Sequence, residues 1–161
     1  MQLAVLVLED EPEVRDAIVR DLDPFARTIR VEPAEDATDA QAVLTELARD
    51  GDPLALVLAD HRLPGVSGVD FLVELCRDDD HGRSRKVLVT GQADQQDTIR
   101  AVNEAGLDHY LTKPWDAEQL RQLVRNELTT YVLQQEVDPL PHLAVLDAAR
   151  VMPALRGRGD R

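Results

Sequence analysis

The chain has 161 residues, 43% hydrophobic and 30% charged, a balance that suits one packed domain with a tail and leaves no room for two full domains. Its net charge of -13 repels phosphate backbones over most of the surface and argues against direct nucleic-acid binding. Cys76 is the sole cysteine, which excludes an intramolecular disulfide and a thiolate metal cluster and points to a reducing compartment, hence a cytoplasmic setting.

Apolar runs of strand length alternate with longer amphipathic stretches along the chain, the βαβ pattern of a parallel sheet. The first run, Leu3 to Leu8, is too short for a membrane span and lacks the basic flank of a secretory signal, because Glu9, Asp10 and Glu11 follow at once. Behind Pro12, Glu13 to Leu22 carries Val14, Ala17, Ile18 and Leu22 at helical spacing. A second strand is expected over Thr28 to Glu32 and a second helix over Ala37 to Arg49, capped by Asp36 and ended by the Gly51-Asp52-Pro53 turn. Leu54 to Ala59 is the third strand. It precedes a helix over Ser67 to Arg77 whose inner face is read as Val69, Leu72, Val73 and Cys76, with Cys76 a small core residue.

Lys86 to Thr90 is the fourth strand, and Asp94 to Ala105 a fourth helix with Ile99, Val102 and Ala105 on its apolar side before Gly106. His109 to Thr112 is the fifth strand. A fifth helix starts behind Asp116, with Trp115 as a packing anchor, and its stripe of Leu120, Leu123, Val124, Leu128 and Tyr131 runs on to about Val137. Beyond the Pro139-Leu140-Pro141 break, Leu143 to Leu155 can form a last helix, and the residues from Arg156 onward read as frayed, the Arg158-Gly159-Asp160 tripeptide among them. The expected division is an α/β domain over residues 1–125, a helical extension over 126–155 and a tail over 156–161.

Ligands of an open parallel sheet lie outside the carboxyl ends of its strands. Those ends carry Glu9 and Asp10 after strand one, Asp60 after strand three, Thr90 at the end of strand four, and Lys113 with Pro114 after strand five. Taken singly, each carboxylate could be a helix cap or a turn residue. Taken together, clustered carboxylates raise one another's pKa unless a cation joins them. Oxygen donors without cysteine or histidine favour a hard ion, and a small carboxylate set with room for water and phosphate suits Mg²⁺. His61 stands beside this set but reads as a loop or packing residue. A carboxylate not consumed by the metal can attack phosphorus, and Asp60 is the candidate, with Thr90 and Lys113 facing the phosphoryl oxygens.

Four segments resemble the receiver domain of two-component response regulators: Glu9-Asp10-Glu11; Leu56-Val57-Leu58-Ala59-Asp60-His61-Arg62-Leu63-Pro64-Gly65-Val66-Ser67-Gly68; Val87-Leu88-Val89-Thr90-Gly91; and Tyr110-Leu111-Thr112-Lys113-Pro114. The resemblance covers about residues 1–125. It implies a flavodoxin-like, doubly wound five-stranded parallel sheet of order 2-1-3-4-5 with a C-terminal helical extension. It also implies phosphorylation of Asp60 by a histidine kinase or phosphotransfer protein. Under it Asp10, Asp60, the backbone carbonyl of Arg62 and, through water, Glu9 hold Mg²⁺. Lys113 pairs with the phosphate through a loop whose bond to Pro114 is cis, and Gly91 leaves phosphoryl access open. Arg62 and Gln92 tune hydrolysis, and Thr90 with Tyr110 switches the face formed by helix four, strand five and helix five. Such a protein catalyses only its own phosphorylation and dephosphorylation. Glu9 departs from the family's more frequent aspartate and keeps the carboxylate.

No output motif follows Trp115, so output by protein contact is expected, either from this chain alone or as the receiver portion of a larger effector. The fifth helix offers two arrangements: a homodimer seam through Leu120, Leu123, Val124, Leu128 and Tyr131, or packing with the last helix over its own domain. A phosphate-independent interaction module and a Mg²⁺-dependent small-molecule phosphohydrolase are the competing functions; the second lacks a visible general acid and cap.

Overall fold

The computed structural model describes residues 1–91 and 95–159. Its elements are β1 (Ala4–Leu8), α1 (Pro12–Asp21), β2 (Arg30–Ala34), α2 (Ala37–Asp50), β3 (Leu54–Asp60), α3 (Gly68–Cys76), β4 (Arg85–Thr90), α4 (Gln95–Ala105), β5 (His109–Thr112), α5 (Ala117–Gln134) and α6 (Ala148–Gly159), with 3-10 turns at Asp23–Phe25 and Leu140–Val145. All strand pairings are parallel, in the order β2-β1-β3-β4-β5. Every residue of β1 and β3 is buried, as the unbroken Leu/Val/Ala runs require of strands covered on both faces. One layer of core joins Val5, Val7, Leu56 and Val87 to α1 and α5; the other joins Leu6, Val57 and Leu88 to α2, α3 and α4.

Local chemistry fixes the element ends. The Asp36 side chain accepts the Asp39 N–H, Ser67 accepts from Asp70, and Asp116 accepts from Glu118, each satisfying a helix donor that has no partner within the helix. Gly51 closes α2 in the left-handed region, with φ of 73°. Pro33 sits in β2, an edge strand where its missing N–H costs no ladder bond. That edge is covered by charge, with Arg30 bonded to Glu32, Asp50 and Asp52.

Several expectations are corrected. β2 begins at Arg30 and not at Thr28, because Thr28 and Ile29 both donate their N–H groups to the Phe25 carbonyl in the preceding turn. Cys76 is exposed, since Phe71 and Leu75 take the inward positions on α3. On α4, Ala101 and Ala105 face the core while Ile99 and Val102 are each 52% exposed; the Arg100 ion pair with Asp70 holds this small-residue side toward α3. The expected first residue of that helix, Asp94, lies outside the described residues.

The C-terminal region also differs. α5 ends at Gln134, and α6 starts at Ala148 and not at Leu143, because Leu140–Val145 winds as a 3-10 turn and Leu146 is extended. The Asp147 carboxylate then accepts the Ala149 N–H at the new helix start. α6 continues to Gly159, past the expected frayed end at Arg156. The dimer seam is corrected most clearly. Leu120, Leu123, Val124, Leu128 and Tyr131 are buried within this chain's own core, alongside Val145, Leu146 and Val151 of the C-terminal segment. The stripe is therefore the means by which α5 packs on its own domain, the other arrangement the sequence allows.

The segment is held by polar contacts as well. Arg125 donates to the carbonyls of Ala144 and Leu146, and its guanidinium lies 5.1 Å from the centre of the Phe25 ring. The Asp147 N–H donates to Thr129 Oγ1. Among the described residues no helix is long and apolar enough to cross a membrane. Because Leu128 is fully buried in this shared core, Leu128→Ala is expected to lower unfolding free energy by about 2–5 kcal/mol. Urea denaturation measures this, and a loss below about 0.5 kcal/mol would contradict the packing described.

Candidate functional site

Four strands end at one edge and carry their chemistry there. Asp60 closes β3, Glu9 and Asp10 follow β1, Thr90 closes β4, and Lys113 follows β5. Asp10, Glu11, Asp60, His61, Arg62, Thr90, Gly91 and Lys113 line a cleft of about 440 Å³. Gln92 lies outside the described residues. Tyr110 is 50% exposed on β5 and stands apart from the cleft lining.

The backbone holds this edge tightly. Glu9 N–H donates to Ala34 O, Arg15 Nη1 donates to the Glu9 carbonyl at 2.9 Å, and Lys113 N–H donates to Thr90 O at 2.9 Å. The Lys113–Pro114 bond is cis. His61 donates its N–H to Val89 O and accepts the Gly68 N–H, so the chain turns back beneath Asp60. A Cβ on Gly68 would collide with the Asp60 carbonyl, which explains a glycine at the first position of α3 in physical terms.

Electrostatics concentrate on Glu9. It is 1% exposed and Asp60 is 6% exposed, and one ammonium serves both: Lys113 Nζ lies 3.1 Å from Asp60 Oδ1 and 3.4 Å from Glu9 Oε1. Glu9 Oε2 is buried with no hydrogen-bond partner among the described residues. Burial and the adjacent Asp60 charge push the Glu9 carboxyl up to about 7 despite Lys113. Burial works to lower the Lys113 ammonium, but the hydrogen bond and charge of Asp60, together with Glu9, prevail and raise it.

Glu9, Asp10 and Asp60 each offer a carboxylate oxygen, all within 4.8 Å of one another. The donor set is hard oxygen, one donor is an orphan, and the cluster carries more negative charge than Lys113 can balance. A divalent cation of the Mg²⁺ class fits that combination.

Two features of this region were given no role from the sequence, although Glu11 stands in the acidic segment after β1. Glu11 lines the cleft, and His61 Nε2 sits 3.1 Å from Asp97 Oδ2 on α4. The second pairs residues far apart in sequence, which periodicity does not register. Trp115 is partly buried against the core as an anchor, and its Nε1–H also donates to Asp21.

The profile of the response regulator receiver domain matches residues 5–125. This chain belongs to the receiver domain family of two-component response regulators. The hydrogenase transcriptional regulatory protein HoxA of Cupriavidus necator is 33% identical over 165 residues, covering 99% of this chain and 30% of HoxA. The phosphate regulon transcriptional regulatory protein PhoB of Escherichia coli is 32% identical over 120 residues, covering 74% of this chain and 49% of PhoB. This chain thus spans 30% of the one regulator and 49% of the other.

Among solved structures, a receiver domain protein of Methanospirillum hungatei superposes with a TM-score of 0.71 at 22% identity, covering 83% of this chain and 99% of that one. The receiver domain of an HD domain-containing protein from Pseudomonas fluorescens gives 0.70 at 22% identity, covering 86% and 100%. These likenesses show the shared fold.

The raised Glu9 carboxyl makes a test of the site's charge balance. An unfolded glutamate ionises near 4.5, whereas the folded protein keeps Glu9 protonated to about 7, so ionisation opposes folding as pH rises through that window. In metal-free buffer Glu9→Gln is expected to exceed the parent in stability by about 1–3 kcal/mol at pH 8 and to match it near pH 4. Thermal melts at the two pH values read the difference, and a less stable variant at pH 8 would contradict the assignment.

Proposed function

We propose that this receiver is a phosphorylation-operated switch whose acceptor is Asp60. A carboxylate oxygen of Asp60 attacks the phosphorus of a phosphohistidine on a histidine kinase or phosphotransfer protein. The new bond is an acyl phosphate, the phosphorus–nitrogen bond breaks, and the imidazole leaves with the electron pair and takes up a proton. The observation that carries this reading is the Lys113 ammonium 3.1 Å from Asp60 Oδ1 at the mouth of an acidic cleft. A cation there orients the nucleophile and neutralises charge gathering on the transferred group.

Asp10, Asp60, the carbonyl of Arg62 and Glu9 are the residues that would hold Mg²⁺; the ion supplies charge neutralisation for the phosphoryl oxygens. Thr90 offers a hydroxyl to the same group. Gly91 adds no side chain at the entrance, and a Cβ there would meet nothing within 4 Å, which favours access over packing as its reason. Arg62, at the cleft, and Gln92 are the positions we assign to tuning hydrolysis.

The phosphoryl group adds about 1.5–2 negative charges and three acceptor oxygens. Two or three charge-assisted bonds to Thr90, Lys113 and backbone donors reach the roughly 5.5 kcal/mol needed to invert a 1:99 population. Thr90 reorienting toward the phosphoryl group and Tyr110 turning inward form the switch we propose. The half-exposed Ile99, Val102 and Tyr110 give the face of α4, β5 and α5 apolar surface suited to a protein partner. HoxA and PhoB are transcriptional regulators by name, so the output we propose is regulation of a transcriptional effector by contact, in the cytoplasm. The chain itself acts only on its own acyl phosphate.

Incubation with acetyl phosphate and Mg²⁺, followed by intact mass measurement, tests the assignment. The expected result is a gain of one phosphoryl group in the parent and none in Asp60→Asn. No adduct in the parent favours a phosphate-independent interaction module, and steady release of phosphate from many organic esters favours a phosphohydrolase.

A further inference from the structure

The 3-10 turn Leu140–Val145 joins α5 to α6 and brings Val145 and Leu146 into the core beside Leu128 and Val132. His142 lies in the middle of that turn. It is 2% exposed, and among the described residues neither Nδ1 nor Nε2 has a hydrogen-bond partner. A neutral imidazole has one N–H donor and one lone pair, and both are stranded here; the imidazolium has two donors, and its charge would be stranded as well. Once the turn leaves the core, water satisfies either form.

We infer that His142 is a proton-operated release for the C-terminal segment: acid favours the detached turn because the docked pocket accepts only the neutral ring. Burial is the largest influence on the ring and lowers its pKa from the ordinary 6.5. Two charged groups act on it. Asp138, on the approach to the turn, favours the cation, and the α-amino group of Met1, at the approach to β1, opposes it. On α5 and α6, the titratable and charged side chains of the shared packing are Tyr131, Arg125 and Arg150. Tyr131 is held neutral by burial, Arg125 is engaged with the carbonyls of Ala144 and Leu146, and Arg150 is engaged with Asn126 and Thr130. Among the described residues no carboxylate accepts a hydrogen bond from the ring.

The sign and size follow from proton linkage. A docked ring held below 6.5 and a released ring that titrates at 6.5 make the released fraction grow as pH falls, with a ceiling of about tenfold between pH 7.5 and pH 5.5 that a fully neutral docked ring would reach. The segment that loosens includes Val145, Leu146 and Val151, so the loosening bares part of the α5 stripe that it covers. This property is independent of Asp60 and of its phosphorylation.

Amide hydrogen exchange, corrected for the intrinsic rate at each pH, reads the release directly. Protection of residues 148–156 is expected to fall by up to about tenfold from pH 7.5 to pH 5.5 in the parent and to stay level in His142→Leu. A parent whose protection stays level, or a variant that loses protection equally, would overturn the proposal. If the variant does not fold, the imidazole proton resonances of the parent serve instead. His142 titrating below 6.5 supports the release, and titration at or above 6.5 overturns it.

Discussion

Everything at the functional edge depends on one uneven charge balance: three carboxylates, Glu9, Asp10 and Asp60, against the single ammonium of Lys113. Two of the three are almost fully buried, where like charges are screened least. The cluster persists because the fold holds it from below. β1 and β3 are adjacent, buried along their whole length, and bring Glu9 and Asp60 side by side, while β5 brings Lys113 across from the far edge. The strain of this arrangement appears as a glutamate that stays protonated close to neutrality. The same strain makes the site receptive to added positive charge.

The core that sustains this edge continues beyond the receiver-matched region. α5 passes without a break across residue 125, the end of the profile match, and its inward stripe is covered partly by Val145, Leu146 and Val151. The division expected at residue 125 falls within the helix that the sequence pattern already carries past that point. Polar ties from Arg125 and Thr129 fasten the covering segment, so the C-terminal segment and the sheet share one apolar interior.

Much of this was legible in the sequence. Leu3 to Leu8, Leu54 to Ala59 and Lys86 to Thr90 read as strands buried on both faces, and strand ends carry the site in an open parallel sheet, so the sequence alone groups Glu9, Asp10, Asp60, Thr90 and Lys113. What failed was orientation within elements. Cys76 lies one position beyond the inward Leu75, and Ile99 and Val102 occupy helical spacing yet face outward because alanines let α4 lie close to its neighbours. An apolar stripe such as that of α5 states that a face is buried and does not state against what. Long-range polar pairs, His61 with Asp97 and Arg85 with Glu127, leave no periodic trace.

Glu9 shares a buried, cation-seeking site with Asp60, and the carboxyl carbon of Glu9 reports that most directly. A ¹³C NMR titration with and without Mg²⁺ is the measurement. The account predicts a midpoint near 7 in metal-free buffer and a marked fall when Mg²⁺ is saturating, as the ion displaces the proton. A midpoint near 4.5 that Mg²⁺ leaves unmoved would contradict it.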